Sequence, residues 1–182
     1  MVRIIGLDPG LRKTGWGIIE AEGSTLKYVA HGLVTSDSEK DMAARLVELQ
    51  EGLFDVLMTH RPDEAAIEQV FMNKNPVSTL KLGMARGVIM FAPAKEGLSV
   101  AEYPANLVKK SIVGTGHAEK AQVIAMVNML LPMARVSQED AADALAIAIC
   151  HAHHRQTANL IGGTMAGAWQ GAPKRKARMK GF

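Results

Sequence analysis

Four carboxylates stand where an apolar setting would ordinarily exclude them. Asp8 ends the run "RIIGLDPG" (3–10), directly before Pro9-Gly10. An Asp-Pro-Gly turn, with the side chain capping its own backbone, is one use for it, and chemistry is the other. Glu68 lies in "AAIEQVF" (65–71), where alternation puts it on the face of Ala66 and Val70. A glutamate inside a short buried strand needs an ion partner or a metal. No basic residue lies within four positions of it, so a salt bridge would have to come from elsewhere in the chain. "SQEDAADALAIAIC" (137–150) adds Asp140 and Asp143, three apart and so nearly on one side of a helix. Asp140 also suits a capping-box-like arrangement with Ser137 as N-cap. Asp143 has no such use, because it sits a turn further in, against Leu145, Ile147 and Ile149.

Gathered without a counter-ion, these acids would repel one another strongly. A hard divalent cation resolves the conflict: carboxylate oxygens suit Mg²⁺ or Mn²⁺, with water and a substrate phosphate completing the shell. Two such ions can stabilise the entering and leaving oxygens of a phosphodiester displacement. Spacing along the chain does not by itself bring the four together.

The elements that must position them read as follows. Residues 2–7, 14–20 and 25–35 are strands in a short-linked antiparallel meander. Met42, Leu46, Leu49, Leu53 and Val56 recur at helical spacing within 39–60, and Arg61-Pro62 stops that helix. A strand at 65–71, a helix over 76–92, a strand at 98–103 and helices over 105–112, 118–131 and 138–155 complete a mixed α/β sheet. Met126, Met129 and Met133 suit helix packing. His151, His153 and His154 read as partners of a helix C-terminal dipole rather than metal ligands.

A chain of 182 residues, 48% hydrophobic, suits one domain of ordinary globular composition. It has no 18-residue apolar run and no signal-peptide core, and Cys150 is alone, which points to a reducing cytoplasm. From 156 to 182 glycines replace periodicity, and the segment reads as a flexible tail after a domain of 1–155. Its stretch "PKRKARMK" (173–180) holds five of the 21 basic residues and no acid. Such a tail either meets a polyanion or only aids solubility.

The blocks "IIGLDPGLRKTGWGII", "AIEQVFMNKNPVSTLKLGMARG", "VKKSIVGTGHAEKAQV" and "DAADALAIAI" resemble, in order and spacing, the RuvC family of Holliday junction resolvases. The resemblance spans about residues 1 to 155. It implies a ribonuclease H-like fold: a five-stranded mixed sheet, its first three strands antiparallel, flanked by helices. Asp8 and Glu68 would lie on adjacent central strands, with Asp140 and Asp143 on the last helix, as the family's four metal ligands. The third of these positions is histidine in some relatives and aspartate here.

The family's members are metal-dependent homodimers. They nick two strands of like polarity in a four-way DNA junction, leaving 5′-phosphate and 3′-hydroxyl ends, and work alongside a RuvA–RuvB branch-migration complex. Two Mg²⁺ ions per subunit, or Mn²⁺ in their place, are implied when substrate is bound. Lys109 and Lys120 match basic positions near the cleaved phosphate, with Lys120 placed to stabilise charge in the transition state. Lys110 beside them reads as a solvated lysine. Phe71 is either a core residue ending its strand or a base-stacking wedge at the crossover. Lys74, Asn75 and Arg86 are candidate backbone contacts, while Arg12 and Lys13 face DNA or only water.

Three alternatives stand beside this. Sugar kinases and actin-like ATPases also open with a strand, an aspartate and a glycine turn, but they need two such domains, and no P-loop is present. A same-fold nuclease for another branched or RNA-containing substrate is the nearer alternative. An inactive junction-binding protein is the third, against which the retention of all four acids speaks.

Overall fold

The structure, a computed structural model, describes residues 1–69 and 75–160. Strands β1 (Val2–Asp8), β2 (Lys13–Glu22) and β3 (Thr25–Thr35) lead into helix α1 (Met42–His60). After these come β4 (Glu64–Gln69), α2 (Pro76–Lys95), β5 (Ser99–Pro104), α3 (Ala105–Val113), α4 (Lys120–Leu130) and α5 (Glu139–Leu160). The five strands form one sheet in the order β3-β2-β1-β4-β5. β1 pairs antiparallel with β2, and β2 with β3, whereas β1–β4 and β4–β5 are parallel. This is the mixed sheet expected from the resemblance.

Helices cover both faces, which is why β1 is apolar on both sides. Ile5 and Leu7 of β1, with Ala65 and Ile67 of β4, pack against Leu49, Leu53 and Leu57 of α1 and Ala85 and Ile89 of α2. Ile4 and Ala66 face the other way, into a core with Val108, Val123, Val127, Leu145 and Ile149 from α3, α4 and α5. Alternation then carries Asp8 and Glu68 to the α5 side. The parallel register sets Gly6 beside Ala66 and Leu7 beside Ile67, so one further step brings Asp8 level with Glu68.

α5 closes the site from above. Between Ala141 and Cys150 every residue except Asp143 is at most 1% exposed. That burial depends on glycine in the strands beneath. An ideal Cβ on Gly15 would fall 1.9 Å from the Asp140 carbonyl oxygen, and one on Gly6 would fall 2.0 Å from that of Ala144. Glycine inside a strand marks such close backbone approach. Bare β1–β2 backbone on one side and alanines on the other let α5 lie low enough for its acids to reach β1.

Element ends differ from expectation by local chemistry. α1 starts at Met42 because the Asp41 side chain caps it by accepting from the Ala44 N–H at 2.9 Å. α2 starts at Pro76 as expected, where Asn75 Oδ1 accepts from the Val77 and Ser78 N–H groups, and it runs on past residue 92 to Lys95. In α5 the first helical bond runs from the Ala142 N–H to the Gln138 carbonyl, which puts Asp140 in the first turn one residue earlier than a Ser137 cap would. The same helix continues to Leu160, into the segment read as tail, and 161–182 lie outside the described residues. Among the described residues no helix is long and apolar enough to cross a membrane.

Candidate metal centre

Asp8 carries the clearest electrostatic signature. Burial comes first and the fields of Glu68, Asp143 and Asp140 follow, pushing its carboxyl up to about 8 against the opposing pull of Lys120. Glu68 is raised as well, by burial and then by Asp143, with Lys109 opposing. The Asp143 carboxyl is raised by burial; Lys120 lowers it, while Asp140 and Glu139 raise it. Four acids from β1, β4 and α5 therefore share one field, with Lys109 and Lys120 at its margin.

Among the described residues no cationic side chain is paired with them, although Lys109 and Lys120 act at a distance. Among the described residues, none of the four carboxylates takes part in an ion pair, and none accepts a side-chain or backbone hydrogen bond. Nor are they drawn into a common shell: among the described residues no three acidic, histidine or cysteine side chains already surround a cation position. An all-oxygen set of neighbouring, partly buried acids in one electrostatic field fits a hard divalent cation.

Basic residues near the site fall into four groups. Lys120, at the first position of α4, holds Glu139 of α5 by an ion pair in which both side chains are more than half exposed. Lys109 on α3 is half-buried and its field reaches Glu68 and Asp143. Arg12, Lys13 and Lys110 are exposed. Arg86 is turned inward, its guanidinium paired with Glu102 and its Nε donating to the Glu68 carbonyl at 3.3 Å. Phe71 and Lys74 lie outside the described residues.

Two readings of residues away from the acids need correction. His151 is a buried hub and not a helix-end partner, since α5 runs on past it. Tyr103 Oη lies 2.8 Å from its Nδ1, and its Nε2 lies 2.9 Å from Glu64 Oε2, while Arg155 Nε donates to the other Glu64 oxygen, Oε1, at 3.0 Å. His154 stacks on Tyr103. Met129 and Met133 are exposed and do not pack: α4 turns Val123 and Val127 to the core, which leaves Met129 outside, and Met133 lies in the turn beyond. Sequence reading also missed the Glu139 and Glu102 pairings and the glycines under α5. For Gly15 and Gly17 a signal existed, glycine inside an otherwise apolar strand.

A family model for "Crossover junction endodeoxyribonuclease RuvC" matches residues 4–151. The chain is 62% identical over 160 residues to the crossover junction endodeoxyribonuclease RuvC of Azorhizobium caulinodans, covering 88% of this chain and 95% of that protein. It is 59% identical over 154 residues to that of Rhizobium etli, covering 85% and 91%. Among solved structures, Thermus thermophilus RuvC in complex with a Holliday junction substrate superposes with a TM-score of 0.80 at 28% identity, covering 86% of this chain and 96% of the other.

Proposed function

Because the chain belongs to the crossover junction endodeoxyribonuclease RuvC family, we infer that its acidic site resolves Holliday junctions by metal-dependent hydrolysis of DNA. We propose Asp8, Glu68, Asp140 and Asp143 as the metal ligands. The observation that carries this is the shared field of the four acids, with the Asp8 carboxyl lifted to about 8 and, among the described residues, no cationic side chain paired to any of them. Mg²⁺ is the proposed ion, two per subunit with substrate bound; such ions lower the pKa of water and stabilise charge on the entering and leaving oxygens.

The chain's own groups supply position and charge. Asp8 and Glu68 sit at the ends of adjacent central strands, whose register sets their backbones level with each other before substrate arrives. Lys120 exchanges Glu139 for a phosphate oxygen of the cleaved strand and then faces the charge that develops there. Lys109 holds the neighbouring backbone. Cleavage leaves 5′-phosphate and 3′-hydroxyl ends, with water as nucleophile. Phe71 is the proposed wedge that stacks on opened bases, and Lys74, Asn75 and Arg12 the proposed backbone contacts. Asn75 can serve through its amide nitrogen, since its oxygen caps α2.

Strand-resolved mapping on a synthetic four-way junction tests this reading. Paired nicks at symmetric positions are expected with Mg²⁺ and none with chelator. Phe71→Ala is expected to slow cutting about tenfold on a fully paired junction, from the lost stacking of one base, and less on one with unpaired bases at the crossover. Preferential cutting of an RNA/DNA hybrid would replace the junction as substrate.

A two-fold substrate calls for a two-fold enzyme, and α2 offers the contact. Val77, Leu80, Met84 and Phe91 are 43–62% exposed and follow a 3-4-7 spacing, with Gly87 completing the heptad. A second copy of this chain is the proposed occupant, α2 against α2. Leu80→Glu with Met84→Glu should sediment as a monomer and lose paired nicking; a dimer that persists would place the contact elsewhere. The family resemblance adds a RuvA–RuvB complex as a further partner, and the cytoplasm as the compartment.

A further inference from the structure

Arg86 stands where a DNA-contacting arginine would be sought, two turns and more into the helix that follows the 70–74 segment. Its side chain is only 20% exposed, however, and its polar contacts are to the protein itself, the partly exposed Glu102 carboxylate and the Glu68 main chain. It ties together three elements at one level. From α2 it pairs with the carboxylate of Glu102 on β5 and donates to the main-chain carbonyl of Glu68 on β4. In the register Glu102 lies opposite Ile67 and Tyr103 opposite Glu68, so the clamp grips the strand pair where the acid projects. Gln69 lies opposite Pro104, which has no N–H to give, so the ladder runs out here and a side-chain donor takes over at Glu68.

We propose that Arg86, held by Glu102, is a positioning residue that fixes the backbone of Glu68, and not a phosphate contact. The proposal rests on Glu68 being a metal ligand. A ligand at the frayed end of a parallel ladder would otherwise swing with its strand, and the segment that follows leads into the helix proposed to meet the partner subunit. The clamp therefore sets Glu68 against Asp8 and Asp143. Lysine cannot replace the arginine here, because one ammonium cannot hold a planar two-sided bridge between a carboxylate and a carbonyl.

The test uses the full-length protein in three readouts: Mn²⁺ affinity by calorimetry, junction affinity in chelator across a salt series, and single-turnover cleavage. Arg86→Gln and Glu102→Gln are each expected to weaken Mn²⁺ binding and slow cleavage by about 10–100-fold, the usual cost of losing the group that orients a ligand. Junction affinity and its salt slope are expected to stay unchanged. Arg86→Lys is expected to resemble Arg86→Gln. Should Arg86→Gln fail to fold, Glu102→Gln, which replaces a surface acid, carries the same comparison.

The phosphate-contact reading makes the opposite prediction for Glu102→Gln: a freed arginine would bind the junction more tightly, while Arg86→Gln would lower the salt slope by about 1. That pair of results overturns the proposal, as does wild-type Mn²⁺ affinity in both variants. Glu68→Gln run alongside separates the premise from the proposal. If Glu68→Gln keeps wild-type Mn²⁺ affinity, Glu68 is no ligand; if it alone loses affinity, the clamp has no role.

Discussion

Asp8→Asn should abolish cleavage and, in the metal-free protein at pH 8, raise the melting temperature. The two effects have one cause. Burial, reinforced by Glu68, Asp143 and Asp140, lifts the folded-state carboxyl from 3.8 to about 8. Between those values the folded chain keeps a proton that the unfolded chain has released. Stability of the metal-free protein therefore falls as pH rises from about 4 to about 8, and levels off above. Asparagine does not titrate and removes that slope. The melting temperatures of variant and wild type should lie close together near pH 4 and diverge by several degrees at pH 8, a few kcal/mol at most in a chain of this size.

Added Mg²⁺ should reverse the order, because an ion that binds only the folded state stabilises it by mass action, and the variant has lost a ligand. Activity should fall by about 10³-fold or more, beyond the 10–100-fold typical of residues that only orient a ligand. Thermal melts at pH 5 and pH 8, with and without Mg²⁺, check the whole statement. Wild-type stability that rises in parallel with the variant over that range would remove the electrostatic argument for the site.

The second large effect concerns a residue with no side chain. Gly15→Ala puts a methyl 1.9 Å from the Asp140 carbonyl oxygen and 2.4 Å from its carbon. Both obstacles are backbone, so no rotamer change relieves them. Either β2 or the start of α5 must move, at a cost of about 3 kcal/mol or more and a fall in melting temperature of roughly 10 °C. Because the displaced residue is Asp140 itself, the fraction still folded should also cut poorly, with Mg²⁺ dependence shifted to higher concentration. A melting temperature within a degree or two of wild type, with normal cleavage, would show that α5 does not depend on this approach.

These two sites divide what was legible in the chain from what was not. Alternation in "AAIEQVF" and the apolar run into Asp8 identified strands, their burial and their stray acids, because a strand's two faces are written in neighbouring residues. The helical period did the same for α1 and for the unexcused Asp143. Four blocks in family order carried the topology, which the sheet order bears out.

Pairings between distant segments were not written there. Met129 and Met133 were expected in the core, and only the choice of Val123 and Val127 as the inward face turned them out. Glu102 and Glu139 carried no signal at all, since an ion pair depends on which side chains end up adjacent, not on their own sequence. Residue type and period, acting over a few positions, determined the elements and named the acids. The approach of β1, β4 and α5, with glycine making room, was decided by packing across 60 residues and more, and the inward turn of Arg86 by partners 16 and 18 residues away, where only three-dimensional contact selects among the partners.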